Sequence, residues 1–138
     1  MKTALGNFTY DKEFKCYNAF VNWNGQNTDV AILDCVSEEE AAKAVEILGV
    51  YAQDMAGFDR DARNYAAEKL LKNAKDRADD PEKVTEEAFT SALTMIGLSV
   101  FPDGTVEVYY DDGDLFAGRA VVVTRKADGA FFNADISD

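Results

Sequence analysis

Between Phe14 and Cys35 apolar and polar residues alternate in two runs on either side of Asn24-Gly25. That pair is preferred in a two-residue type I′ hairpin turn. A turn there sets Trp23 opposite Gln26, then Val21 opposite Thr28, Ala19 opposite Val30, Tyr17 opposite Ile32 and Lys15 opposite Asp34. This face is largely apolar and suits packing on a core. The other face pairs Asn22 with Asn27, Phe20 with Asp29, Asn18 with Ala31 and Cys16 with Leu33, a mixed set that predicts half exposure. Asn7 to Tyr10 adds an edge strand.

The period then changes. Ser37 can cap a helix whose first turn, Glu38-Glu39-Glu40, is acidic, with Glu40 placed to return a bond. Ala41, Ala44, Val45, Leu48, Ala52 and Met55 follow at helical spacing, and this helix is expected to end near Gly57. A second is predicted from Asp59, with Ala62, Tyr65, Ala66, Lys69, Leu70 and Asn73 on one face. Lys75 to Lys83, which contains Asp79-Asp80-Pro81, reads as a charged loop. Thr85 to Leu93 reads as a short third helix with Phe89 inward.

From Thr94 the period returns to two. Ile96, Leu98 and Val100 alternate on one strand, Pro102-Asp103-Gly104 turns it, and Val106, Val108 and Tyr110 alternate on the next. Arg119 to Arg125, with its three valines, is expected as a central strand; Asp128-Gly129 turns, and Phe131 to Ile136 returns. The order predicts an α+β fold: an antiparallel sheet, made of the N-terminal hairpin and a C-terminal meander, with about three helices packed on one face. No composition shift or repeat divides the chain, so residues 1–138 read as a single α+β domain.

Charge narrows the partners. A formal charge of −12, from 26 acidic and 14 basic residues, repels phosphate backbones and anionic bilayers. The expectation is no nucleic acid and no membrane, and attraction for a basic protein. No apolar run approaches ~20 residues. The start, Met1 to Gly6, lacks the sustained apolar stretch of a secretory leader, so a cytoplasmic location is expected. Cys16 and Cys35 fall diagonally on the mixed hairpin face, ~7–8 Å apart and beyond disulfide reach, and are expected as free thiols. The chain has no histidine, which removes Ser-His-Asp and Cys-His catalysis and His-ligated zinc. It has no phosphate-cradling glycine motif either, and no cofactor is implied.

The candidate chemistry lies in Glu107-Val108-Tyr109-Tyr110-Asp111-Asp112-Gly113-Asp114-Leu115-Phe116-Ala117-Gly118. As a calcium loop it fails, because its carboxylates are adjacent and Gly113 comes too early, so no metal is expected. Carboxylate acid–base chemistry would draw on Glu107, Asp111, Asp112 and Asp114 converging on one pocket. A recognition edge would use Glu107, Tyr109, Asp111, Asp112 and Asp114 against Lys or Arg, with Phe116 as an anchor. A purely structural connection would fold Leu115 and Phe116 back onto the core. The expected function is a non-enzymatic binding protein that meets a basic partner through this acidic, aromatic surface. The alternatives are a carboxylate-dependent hydrolase or metal-binding enzyme, and a structural or oligomerising module.

The same stretch, P-D-G-x-x-E-x-Y-Y-D-D-G-D-L-F-x-G, resembles a family of small bacterial proteins known only as a domain of unknown function. The likeness extends upstream through Asp59-Arg60-Asp61-Ala62-Arg63-Asn64-Tyr65-Ala66, Leu70-Leu71, Thr85-Glu86-Glu87 and Phe89. Departures from the family pattern are Arg119 in place of His, Ser137 in place of Gly, and no Trp between Asn73 and Asp79. The resemblance implies an α+β intracellular protein without an assigned reaction. Families of this kind sometimes lie beside bacterial polymorphic toxin systems, so the resemblance also points to an immunity-like factor with a toxin domain as the basic partner.

Overall fold

The computed structural model describes residues 1–137. A small hairpin of β1 (Lys2–Thr3) and β2 (Gly6–Asn7) precedes the main sheet. That sheet holds seven strands in chain order: β3 (Thr9–Asp11), β4 (Cys16–Trp23), β5 (Gln26–Ile32), β6 (Thr94–Val100), β7 (Val106–Asp111), β8 (Ala120–Arg125) and β9 (Phe131–Ser137). Three helices lie between β5 and β6: α1 (Glu38–Ala52), α2 (Met55–Arg77) and α3 (Glu86–Ala92), with a 3₁₀ turn at Pro81–Lys83.

The hairpin register is the one its turn predicts, from Trp23 opposite Gln26 to Tyr17 opposite Ile32. Asn24 and Gly25 have φ of 55° and 89°, as a type I′ turn requires. Lys15 and Asp34, expected as the last pair, have φ of 53° and 57° and turn the chain out of the ladder. The two halves of the sheet then meet in parallel, Asp29 beside Gly97 through Ile32 beside Val100. The sheet is therefore mixed rather than wholly antiparallel. Parallel neighbours need a crossover, and the three helices supply it.

Three boundaries differ from the sequence expectation. Gly57 does not end the first helix; Asp54 caps α2 and its carboxylate accepts the Gly57 N–H at 3.0 Å. That carboxylate occupies the space a Cβ on Gly57 would need. Lys75 to Arg77 still belong to α2, because the break comes with Pro81 rather than with the charges before it. In β6, Met95 faces Tyr110 and Gly97 faces Tyr109, so Ile96 is the extra residue of a bulge and is 46% exposed. The bulge makes Met95 the inward residue in place of Ile96. The triple-valine strand, β8, is interior but next to the edge strand β9.

One face of the sheet is the core. The row Ala19, Val30, Leu98, Val108, Val123, Ala134 crosses six strands in register, and all but the partly buried Ala19 are buried. Ala41, Ala44 and Leu48 of α1, Phe58, Ala62, Ala66 and Leu70 of α2, and Phe89 of α3 belong to the same buried cluster. Trp23 meets Phe58 edge-on at 5.2 Å, its indole N–H without a hydrogen-bond partner among the described residues. Among the described residues the opposite face carries no helix.

The segment Asp59 to Ala66 joins three elements. The Arg63 guanidinium bonds the Asp59 carboxylate at 2.9 Å and also donates to the carbonyls of Thr90 and Leu93. Those carbonyls close α3, where no further helical turn can bond them. The buried Tyr110 hydroxyl donates to the Asp59 carboxylate at 2.8 Å, while Arg63 lies over the Tyr110 ring at 5.2 Å. Burial, reinforced by Asp59, pushes the Tyr110 phenol far above its ordinary pKa and keeps it a neutral donor. Arg63→Ala should therefore lower unfolding stability by about 2–3 kcal/mol in denaturant melts. Arg63→Lys should recover only part, since an ammonium cannot hold the carboxylate and both carbonyls together.

Candidate functional site

Alternation along β7 divides its side chains between the two faces. Val106, Val108 and Tyr110 turn to the core; Glu107, Tyr109 and Asp111 turn to the helix-free face. The Tyr109 hydroxyl lies 3.3 Å from the Glu107 carboxylate. Burial raises the Tyr109 pKa against a lowering hydrogen bond from Ser99, with the Glu107 charge adding to the rise. Tyr109 lies beside Gly97, where a Cβ would stand 3.7 Å from the tyrosine ring and 3.2 Å from the Asp29 carbonyl. The tight neighbour there is the Asp29 carbonyl; the ring would be in ordinary contact.

Register extends this surface over the neighbouring strands. Tyr109 is followed by Val122 and Asp135, Glu107 by Thr124 and Asn133, and Asp111 by Ala120 and Ser137. No Lys or Arg stands among these nine residues. Asp111 and Asp135 are exposed, Glu107 half-buried. Val122 and Asp135 were not among the sequence candidates. The Asp128-Gly129 turn was legible, but a bulge at Thr124/Arg125 shifts the β8–β9 register by one residue, and that shift sets the face on which Asp135 lies.

The loop after β7 has a different role. The Asp112 side chain is fully buried, and its carboxylate accepts four backbone N–H groups: Asp114 at 2.9 Å, Phe116 at 2.9 Å, Gly118 at 3.1 Å and Arg119 at 3.0 Å. Gly113, at φ 57°, passes against the Ala92 carbonyl where no Cβ would fit. Phe116 is fully buried, edge-on to Phe89 at 6.2 Å and beneath the Arg77 guanidinium at 5.8 Å. Leu115 is partly buried against the same core.

The six sequence candidates thus separate. Glu107, Tyr109 and Asp111 share the open face; Asp114 is exposed on the loop; Asp112 and Phe116 face inward and present nothing to a partner. Among the described residues no three His, Cys, Asp or Glu side chains are grouped to hold a metal ion. Two surface grooves, of about 760 and 510 Å³, are lined by other residues. Cys16 and Cys35 are free and buried. Burial, then Asp11 and Asp29 for Cys16 and Glu40 and Asp34 for Cys35, raises both thiols and leaves them poor nucleophiles. No helix is long and apolar enough to cross a membrane.

Residues 2–136 match the model of a family described as "Uncharacterized protein conserved in bacteria (DUF2262)", in agreement with the resemblance drawn from the residues. No curated protein and no solved structure matches the chain.

Burial opposes ionisation of Asp112, but its backbone N–H bonds outweigh burial and hold the carboxyl below its ordinary 3.8. A depressed folded-state pKa adds stability that is complete above the unfolded value and disappears as pH falls through the folded one. Asp112→Asn should cost about 2–3 kcal/mol at neutral pH. In denaturant melts across the acid range, the gap between native and variant should hold constant above pH ~5 and narrow below pH ~4.

Proposed function

We propose that this chain, which belongs to the bacterial family DUF2262, is a cytoplasmic, non-enzymatic binding protein that blocks a basic protein partner. The observation that carries the reading is the helix-free face of β7–β9, where Glu107, Asp111 and Asp135 stand in register around the Tyr109 ring. Such a face attracts and orients a basic surface. Tyr109 and Val122 supply apolar area at its centre, and Glu107, Asp111 and Asp135 surround them with charge. A small acidic protein that occludes a basic toxin domain, in the manner of an immunity factor, suits this chemistry.

Asp112 has no place in that surface, and any test must leave it intact so that folding and binding stay separate. Affinity capture from the source bacterium at low salt, then calorimetric titration of the captured protein, measures the interaction. The expected partner is basic, and its affinity falls steeply with added salt. Glu107→Gln/Asp111→Asn/Asp135→Asn should weaken it about tenfold, at ~0.2–1 kcal/mol for each exposed charge. If the partner arrests growth when expressed alone, co-expression of this chain should relieve the arrest, and the triple variant should not. Equal binding by the triple variant, or capture of acidic proteins alone, would sink the proposal.

A further inference from the structure

Asn24-Gly25 is the one Asn-Gly pair in the chain. It makes the turn between β4 and β5, and both residues are exposed. Asn is a thermolabile residue, and beside Gly it carries a chemistry of its own. The Gly25 backbone nitrogen, with no Cβ next to it, can attack Cγ of the Asn24 side chain. A C–N bond forms, the bond from Cγ to the side-chain nitrogen breaks, and ammonia leaves with the Gly25 proton. Water then opens the five-membered imide at either carbonyl. One opening gives Asp in a normal backbone; the other runs the backbone through the side chain as an isoaspartyl link.

The structure holds the attacking nitrogen. The Gly25 N–H donates to Asn22 Oδ1 at 2.7 Å. To attack Cγ the nitrogen must give up that proton and turn away, and either step breaks this bond. The Asn24 N–H is held separately, by the Met55 sulfur at 3.3 Å. The space around Gly25 is otherwise open, since a Cβ there would meet nothing within 4 Å.

We infer that Asn24-Gly25 is a site of spontaneous deamidation and isomerisation, and that the Asn22 side chain is the guard that slows it. The two products differ in consequence. Asp-Gly suits the same type I′ turn, so plain deamidation adds a negative charge at the hairpin tip and keeps the register. The isoaspartyl link lengthens the backbone by a carbon, and the tight turn no longer closes. Trp23 pairs with Gln26 beside the turn and packs on Phe58, so isomerisation loosens the sheet where it meets α2. This chemistry needs only water and is independent of the basic-partner reading.

Incubation of the purified chain in warm, mildly alkaline buffer, followed by peptide mass spectrometry, tests this. The peptide holding Asn24 should slowly gain the mass of deamidation and separate into Asp and isoaspartyl forms. Asn22→Ala should speed this about fivefold, the worth of one hydrogen bond. Asn22→Asp, which keeps an oxygen in place, should stay near the native rate. Met55→Leu frees the Asn24 N–H but leaves the Gly25 bond, and should also stay near native. Circular dichroism checks that each variant folds. The isoaspartyl fraction should show red-shifted Trp23 fluorescence, and the Asp fraction should not. Equal rates in the native chain and Asn22→Ala overturn the inference. So does a native chain that deamidates as fast as a short peptide of the same turn, or Met55→Leu matching Asn22→Ala.

Discussion

The parallel contact between Asp29–Ile32 and Gly97–Val100 is the constraint on which the architecture turns. Two parallel neighbours cannot be joined by a tight turn; the chain must leave one end of the sheet and return to the other across a face. Here the return is α1, α2 and α3, and all three share the buried cluster with one sheet face. The opposite face is left without a helical layer.

Two charged knots hold the covering in place. Asp112 gathers four backbone N–H groups of the β7–β8 connection, and this drives Phe116 down onto Phe89 of α3. Arg63 closes the C-terminal end of α3 and ties it, through Asp59, to Tyr110 of β7. Both knots answer the same need: backbone groups at element ends must be paired once they leave water. The most distinctive residues of the chain, Asp59 to Ala66 and Asp111 to Gly118, are in large part explained by folding.

The open face divides by chemistry. Toward β9 it is acidic around Tyr109 and Val122; toward β3 it is aromatic with both charges. Glu107 and Asp111 gain meaning from Asp135, which lies far from them in sequence and close to them across β8. A surface of this kind is built by register, one residue from each strand.

Local chemistry was legible in the sequence. Asn24-Gly25 determined the hairpin register, Ser37 was visible as a helix cap, and the alternation of Val106, Val108 and Tyr110 assigned a buried face. Turn geometry and side-chain period act over a few residues and need nothing from the rest of the chain. The bulge at Ile96 was hinted at only by Gly97, and Gly57 was misleading because the Asp54 cap placed it inside a helix. The adjacent acids Asp111, Asp112 and Asp114 could not be told apart by type; loop closure onto α3 turned one inward and left two in solvent. The sequence by itself determined most of the elements, the register of the hairpin around Asn24-Gly25 and the acidic balance. Only the tertiary structure decided that the sheet halves join in parallel, which face stays bare and which acids share it, because those outcomes depend on contacts between residues distant along the chain.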